Sequence, residues 1–218
     1  MKPFNAFFSI LFFLTLSAQG QNLFIGVKAG ANFTNANDNF FNDKVFKKGL
    51  STGITLDYIL RNKISLGADI LYSQKGFGNY FIFGDRIGSI GATSDNRQLV
   101  NFHYDYLSIP LRIGYSIGQT FSGFGNLGMI PSYLLNAKMK FHEGTSTDQT
   151  DQASKFDFAG QIELGCGYKI KDSYFIYTSV TYANSLTYVS NQNYFSASDI
   201  KNYGVAVSLG LRYKLTHK

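Results

Sequence analysis

The sequence predicts an all-β chain: eight antiparallel strands, connected up and down and closed into a barrel that crosses a membrane. Three observations carry this. Apolar and small polar residues alternate with period two through eight segments. The connections between those segments alternate short and long. Asp, Glu, Lys and Arg are missing from the middle of every apolar face. Composition agrees. Charged residues are 16% of the 218, against roughly 25% in soluble domains. Aromatics reach 17% without a Trp, beside 22 Gly and only 3 Pro, which belongs to strands and turns. So aromatic a chain is not disordered, and the low Pro count excludes collagen. A single cysteine excludes a disulfide framework and a multi-cysteine zinc site.

The first twenty residues read as a separate object. Lys2 gives a positive start, Phe4 to Leu16 is an apolar run, and Ala18-Gln19-Gly20 offers small residues for a signal peptidase. Residues 1–20 are therefore expected to be a signal peptide cleaved before Gln21, and residues 21–218 the barrel. No cysteine follows the apolar run, so no lipoprotein anchor is expected. The remainder has no apolar stretch of about 18 residues, hence no transmembrane helix. Lys and Arg outnumber Asp and Glu by 20 to 14, but the surplus is scattered rather than interleaved with aromatics, and nucleic acid is not an expected partner.

In chain order, residues 22–34 place Leu23, Ile25, Val27, Ala29, Ala31 and Phe33 on one face and Lys28 among glycines on the other. Residues 49–60 set Leu50, Ile54, Leu56 and Tyr58 against Ser51, Gly53, Thr55 and Asp57. Residues 64–75 set Ile64, Leu66, Ala68, Ile70 and Tyr72 against Ser65, Gly67, Asp69, Ser73 and Lys75. Residues 100–115 set Leu107, Ile109, Leu111 and Ile113 against Ser108, Pro110 and Arg112. Residues 121–137 set Leu127, Met129, Tyr133 and Leu135 against Asn126, Gly128 and Ser132. Residues 155–170 set Phe156, Ile162, Leu164 and Cys166 against Asp157, Gln161 and Glu163. Residues 174–188 are less regular, with Ile176, Val180 and Tyr182 opposite Tyr177, Ser179 and Thr181. Residues 203–215 are the clearest, with Val205, Val207, Leu209 and Leu211 opposite Gly204, Ala206, Ser208, Gly210 and Arg212.

Short turns fall near 61–63, 116–120 and 171–173, and long polar loops near 35–47, 76–99, 138–154 and 189–202. A membrane barrel has this asymmetry, with tight periplasmic turns and larger external loops. Lipid excludes charge at mid-depth, so the apolar face points outward. An eight-stranded barrel has little interior room, so the Gly-rich face points inward. Tyr58, Tyr115, Tyr168, Tyr174 and Tyr213 fall beside the short turns. Phe33, Tyr72, Tyr133, Phe156, Tyr182 and Tyr203 fall at the loop ends, giving two interfacial girdles. Closure follows because an open sheet edge in lipid leaves its hydrogen bonds unmade.

Four stretches resemble the outer-membrane β-barrel domain family that includes PorT-like proteins of Gram-negative bacteria. They are Gly26-Val27-Lys28-Ala29-Gly30-Ala31-Asn32-Phe33, Leu71-Tyr72-Ser73-Gln74-Lys75-Gly76, Tyr106-Leu107-Ser108-Ile109-Pro110-Leu111 and the closing Leu209-Gly210-Leu211-Arg212-Tyr213. The resemblance runs over about residues 22–215. It implies an eight-stranded barrel in the outer membrane and carries no shared catalytic residues. The chain departs from that pattern at Thr181, where relatives often have Arg. It departs again at its end, Leu215-Thr216-His217-Lys218, which lacks a terminal aromatic.

The chemistry-bearing constellations are few. Gly123-Phe124-Gly125-Asn126-Leu127-Gly128 fits GxGxxG, but no βαβ unit follows, so no dinucleotide cofactor is expected. His103 and Asp105 share a strand face near an external loop. A rim hydrolase would need a nucleophile beside them, with Ser94 the candidate. Asp38, Asp43, Asp148 and Asp151 lie in two external loops without the spacing of a calcium loop. Cys166 is read as a small apolar residue on the lipid face.

A further set of charges falls on the inward face. Lys28, Arg112 and Arg212 are balanced by Asp57, Asp69 and Glu163, as a plugged lumen requires. Strand order predicts Lys28 with Asp57, Asp69 with Arg112, and Glu163 with Arg212 across the interior. The expected function is a non-enzymatic barrel whose partners are outer-membrane lipid and a protein bound through external loops or periplasmic turns. The alternatives are an enzyme acting on lipid or peptide at the rim and a narrow or secretion-associated channel.

Overall fold

The computed structural model describes residues 23–38, 43–60, 63–82, 97–141, 144–190 and 199–215. The strands are β1 (Leu23–Asn37), β2 (Lys44–Ile59), β3 (Ile64–Ile82), β4 (Arg97–Ser108), β5 (Leu111–Gly118), β6 (Phe121–Lys140), β7 (Ser146–Asp148), β8 (Phe156–Lys171), β9 (Tyr174–Ser185) and β10 (Lys201–Leu215). All pairings are antiparallel, and β1 joins β10 on one side and β2 on the other. With β2 on β3, β3 on both β4 and β5, and β6 on β8, the sheet closes on itself. β4 and β5 are two halves of one wall strand, parted at Ile109-Pro110, and β7 is a short hairpin strand on β6. The barrel therefore has eight staves.

Pro110 supplies the reason for the break that the sequence reading treated as continuous strand. It has no N–H to give the ladder. Its carbonyl still accepts from Asp69 N at 3.0 Å, and Ile109 N donates to the Pro131 carbonyl at 2.8 Å, so the wall stays closed across the gap.

The faces are those of a barrel in lipid. Val27 is 57% exposed and Leu164 64%, and Ile54, Ile70, Ile113, Leu127, Val180 and Leu209 are exposed likewise. Ser51, Thr55, Asp69, Ser108, Ser132, Gln161, Glu163 and Ser208 are buried inside. In water this arrangement would be inside out; in hydrocarbon it satisfies both solvents. Tyr115, Tyr168, Tyr174 and Tyr213 are exposed near the short turns, with Tyr174 and Tyr213 in contact at 5.0 Å. Phe33, Tyr133, Phe156 and Tyr182 are exposed near the other end, where Tyr133 packs on Phe156 at 5.3 Å. On β10 ten residues separate Tyr203 from Tyr213. At about 3.3 Å per residue and a tilt near 40°, that is roughly 25 Å, the height of the apolar band.

Several stretches expected in external loops are strand: 35–37, 44–47, 76–82, 97–99 and 138–140. The wall continues above the membrane, and there its faces exchange character. Inside, Phe77, Tyr104, Tyr106, Leu134 and Ala137 form an apolar core with Ala36, Ala153 and Val189, and Phe77 stacks on Phe102 at 4.6 Å. Outside stand His103, Asp105, Lys138 and Lys140. An inverted alternation reads as polar loop wherever apolar residues are expected on the outer face. Residues 149–154 close the mouth together with Val189 and Ile200: Gln149 N donates to Ala137 O at 2.8 Å, Ser154 N to Val189 O at 2.7 Å, and Val189 N to Ile200 O at 2.8 Å.

Candidate functional site

The site is the lumenal charge network. Lys28 on β1 stands opposite Gly53 on β2 and Gly210 on β10. A Cβ at Gly53 would strike the Ile70 carbonyl, and one at Gly210 the Tyr177 ring. The lysine stem therefore crosses the lumen between two positions that carry no side chain. Its Nζ lies 2.7 Å from Glu163 Oε1 and 4.0 Å from Asp69 Oδ2.

Arg112 on β5 likewise stands between Gly67 and Gly128. Its Nη2 reaches Asp69 at 2.7 Å and Asp57 at 3.0 Å, while Nη1 reaches Glu163 at 3.3 Å. Asn126 Nδ2 donates to Glu163 Oε2 at 2.7 Å. Arg212 Nη1 is 3.3 Å from Asp57 Oδ2. Its guanidinium lies 4.0 Å from the Tyr177 ring centroid and 5.3 Å from that of Phe124, a cation–π arrangement.

All six sequence-selected charges meet in one connected cluster of three cations and three anions. Asp69 and Arg112 pair as strand order predicts. The other two pairings differ. In the register Lys28 faces Gly53, and Asp57 faces Phe24, four residues nearer the short turns. Lys28 therefore bonds Glu163 across the interior, and Asp57 bridges Arg112 and Arg212. Buried charges held this way offset their desolvation with several partners each.

A second layer was not singled out from sequence. Lys75 Nζ lies 2.7 Å from Asp157 Oδ2 and 5.1 Å from the Tyr106 ring centroid. Thr187 Oγ1 donates to Asp157 Oδ1 at 3.3 Å. Lys75 and Asp157 are inward in the alternation, but β3 and β8 are not neighbours, and nothing in the sequence pairs residues on staves that face each other across a barrel. Between the layers is a cavity of about 80 Å³ lined by Ser73, Ser108, Gln161 and Asn202, among others. Below the main network a cavity of about 130 Å³, lined by Phe24, Phe124, Phe175 and Tyr177, faces the short turns. The network separates the two.

His103 and Asp105 alternate with buried Tyr104 and Tyr106, so they face outward, beyond the apolar band. Neither is hydrogen-bonded to a serine, threonine or cysteine side chain among the described residues; Ser94, His142 and His217 lie outside them. Burial, with Lys47 and Lys140 adding repulsion, pushes the His103 imidazole down to about 4.

The four loop aspartates do not converge. Asp38 pairs with Lys44 at 3.1 Å, Asp43 with Arg97 at 3.4 Å, and Asp151 with Lys155 at 3.9 Å. Asp148 accepts from Thr150 N at 2.8 Å. Among the described residues no three His, Cys, Asp or Glu side chains cluster as metal ligands would. The GxGxxG stretch lies within β6, and Cys166 shares the outward face of β8 with Leu164 and Tyr168.

The profile of the outer membrane protein beta-barrel domain family matches residues 17–191. The chain belongs to that family. Membership, with the apolar outer face, makes the barrel an outer-membrane protein. No curated protein sequence matches it. Among solved structures it is similar to Neisserial surface protein A, at 13% identity and a TM-score of 0.49, over 88% of this chain and 97% of that one. It is similar to OprG from Pseudomonas aeruginosa, at 12% and 0.47, over 91% and 98%. It is also similar to the outer membrane protease OmpT from Escherichia coli, at 11% and 0.47, over 90% and 98%.

Proposed function

We propose that the protein is a non-enzymatic, integral outer-membrane barrel with a plugged lumen, which acts as a structural element and presents its external end to a partner. The observation that supports this most is the network itself. Lys28, Arg112 and Arg212 are neutralised by Asp57, Asp69 and Glu163 within a bore that eight staves leave just wide enough for side chains. A selective pore carries a ring of one sign; here the signs balance and bond to one another. Above it, the Lys75–Asp157 pair and the apolar core close the lumen a second time.

In this reading residues 1–20 are an export signal cleaved before Gln21, and residues 21–218 form the barrel. Outer-membrane lipid contacts the band, and a protein partner is met by the external loops or the periplasmic turns. The polar outer wall above the girdle, with His103, Asp105 and Lys138, lies beyond the apolar band and is available for such contact.

Liposome swelling tests the plug. Vesicles holding the purified barrel are diluted into isotonic solutions of small sugars and amino acids. The expected rate is that of protein-free vesicles. Size-dependent uptake scaling with the amount of barrel would contradict the proposal and favour the channel.

A further inference from the structure

Above the upper girdle, the wall built by β2, β3, β4 and β6 carries lysines that make no ion pair within 4 Å among the described residues. The register sets them in a line. Gly76 on β3 stands opposite His103 on β4, and His103 opposite Lys138 on β6. Lys140 follows two residues on. Lys47 on β2 lies against the Gly76 position, its Cδ 3.0 Å from where a Cβ there would stand. Gly76 has φ +139°, a backbone closed to other residues, and Lys47 uses the room left by the missing side chain.

Lys47 is 5% exposed, yet among the described residues it makes no ion pair within 4 Å and no hydrogen bond; Lys138 and Lys140 make none either, although Asp148 on β7 stands opposite Lys138 and feels its charge. A lysine is almost never this buried unless it is paired. Asp105 is the carboxylate whose field reaches Lys47, and Lys140 opposes it.

We infer that Lys47, His103, Lys138 and Lys140 form a binding site for the phosphate group of an outer-leaflet lipid. The chemistry is that of ammonium donors converging on a strong acceptor. The height selects the lipid as the source. Tyr72, Leu107 and Tyr133 form one row across β3, β4 and β6 at the girdle. His103 is four residues above Leu107, about 10 Å along the barrel axis at ordinary rise and tilt. Lysine stems of this length reach from there to headgroups at the girdle. Burial first, and the neighbouring lysines after it, disfavour added positive charge here. His103 is held neutral, and burial pushes the Lys47 ammonium down to about 8; a bound phosphate relieves both.

The test uses the full barrel in detergent and native mass spectrometry to count retained ligand. Three probes are compared: phosphatidic acid, diacylglycerol with the same acyl chains, and inorganic phosphate. Phosphatidic acid is expected to be retained and the other two not. Lys47→Gln with Lys140→Gln is expected to weaken retention about tenfold, the loss of a charge-assisted contact. Lys169→Gln, at a short turn, leaves it unchanged. Lys138→Gln with Lys140→Gln alters only exposed side chains, so the site remains testable if the Lys47 variant does not fold, and it too is expected to lose about tenfold. Equal retention by the lysine variants, equal retention of diacylglycerol, or inorganic phosphate binding as tightly as phosphatidic acid would each overturn the assignment.

Discussion

Glu163 holds the network together: Lys28, Arg112 and Asn126 all bond it. Glu163→Gln leaves Lys28 buried with only the more distant Asp69. Breaking a buried pair in this way costs about 3–5 kcal/mol, so the temperature at which the folded gel band converts to the unfolded one should fall. Lys28→Met combined with Glu163→Leu should recover part of the loss, because removing both charges also removes their desolvation. Gly67→Ala probes the same cluster from its wall. The added methyl would stand 2.6 Å from Asp57 Oδ1 and 2.9 Å from Arg112 Nε, and overpacking of this kind costs about 1–3 kcal/mol. These six residues were legible in the sequence because charge is conspicuous on a face otherwise made of Gly, Ser and Thr. Their pairing was not, since the register that carries Asp57 away from Lys28 is a property of the closed ring.

His103 gives a pH dependence with a definite sign. Its imidazole titrates near 4 in the fold and near 6.5 in an unfolded chain. Between those values the unfolded chain binds the extra proton. Stability therefore rises with pH through that window, and the contribution is lost as pH falls from 6.5 to 4. Burial sets it first; Lys47 on β2 and Lys140 on β6 add repulsion, and Asp105 on its own strand opposes them. In phosphate-free detergent His103→Gln should flatten this part of the stability profile; an unchanged difference between pH 7 and pH 4.5 would contradict it.

At the scale of the strand, the deciding feature is which face meets lipid. Val207 on β10 is exposed, as is Ile109 beside the β4–β5 break, whereas Ser208 is buried. Val207→Arg should cost about 2–4 kcal/mol near mid-depth, and Ile109→Arg, two residues from the girdle, less, measured by folding into lipid vesicles against denaturant. Ser208→Arg should instead crowd the lumen beside Gly30. Arg tolerated at Val207 and Ile109 would reverse the faces. The eight segments were legible because lipid outside and a narrow bore inside impose opposite chemistry on alternate residues. The legibility ends where the lipid ends. From Phe77 and Tyr104 upward the inner face becomes apolar and the outer face polar, so true strand reads as loop. The break at Pro110 was hidden for another reason: Ile109 and Leu111 keep the alternation intact across it.

For the whole molecule, the fold and the membrane follow from pattern, while the closure of the lumen follows from contacts between staves that are distant in sequence. Two ionic layers and an apolar cap lie in series: Lys28–Glu163 with Arg112, Lys75–Asp157, and the core around Phe77 and Leu134. The direct measurement is voltage-clamp recording of the purified barrel in a planar bilayer. The account predicts a bilayer as quiet as one without protein across both polarities. Steady single-channel steps with a reproducible preference for one ion sign would contradict it.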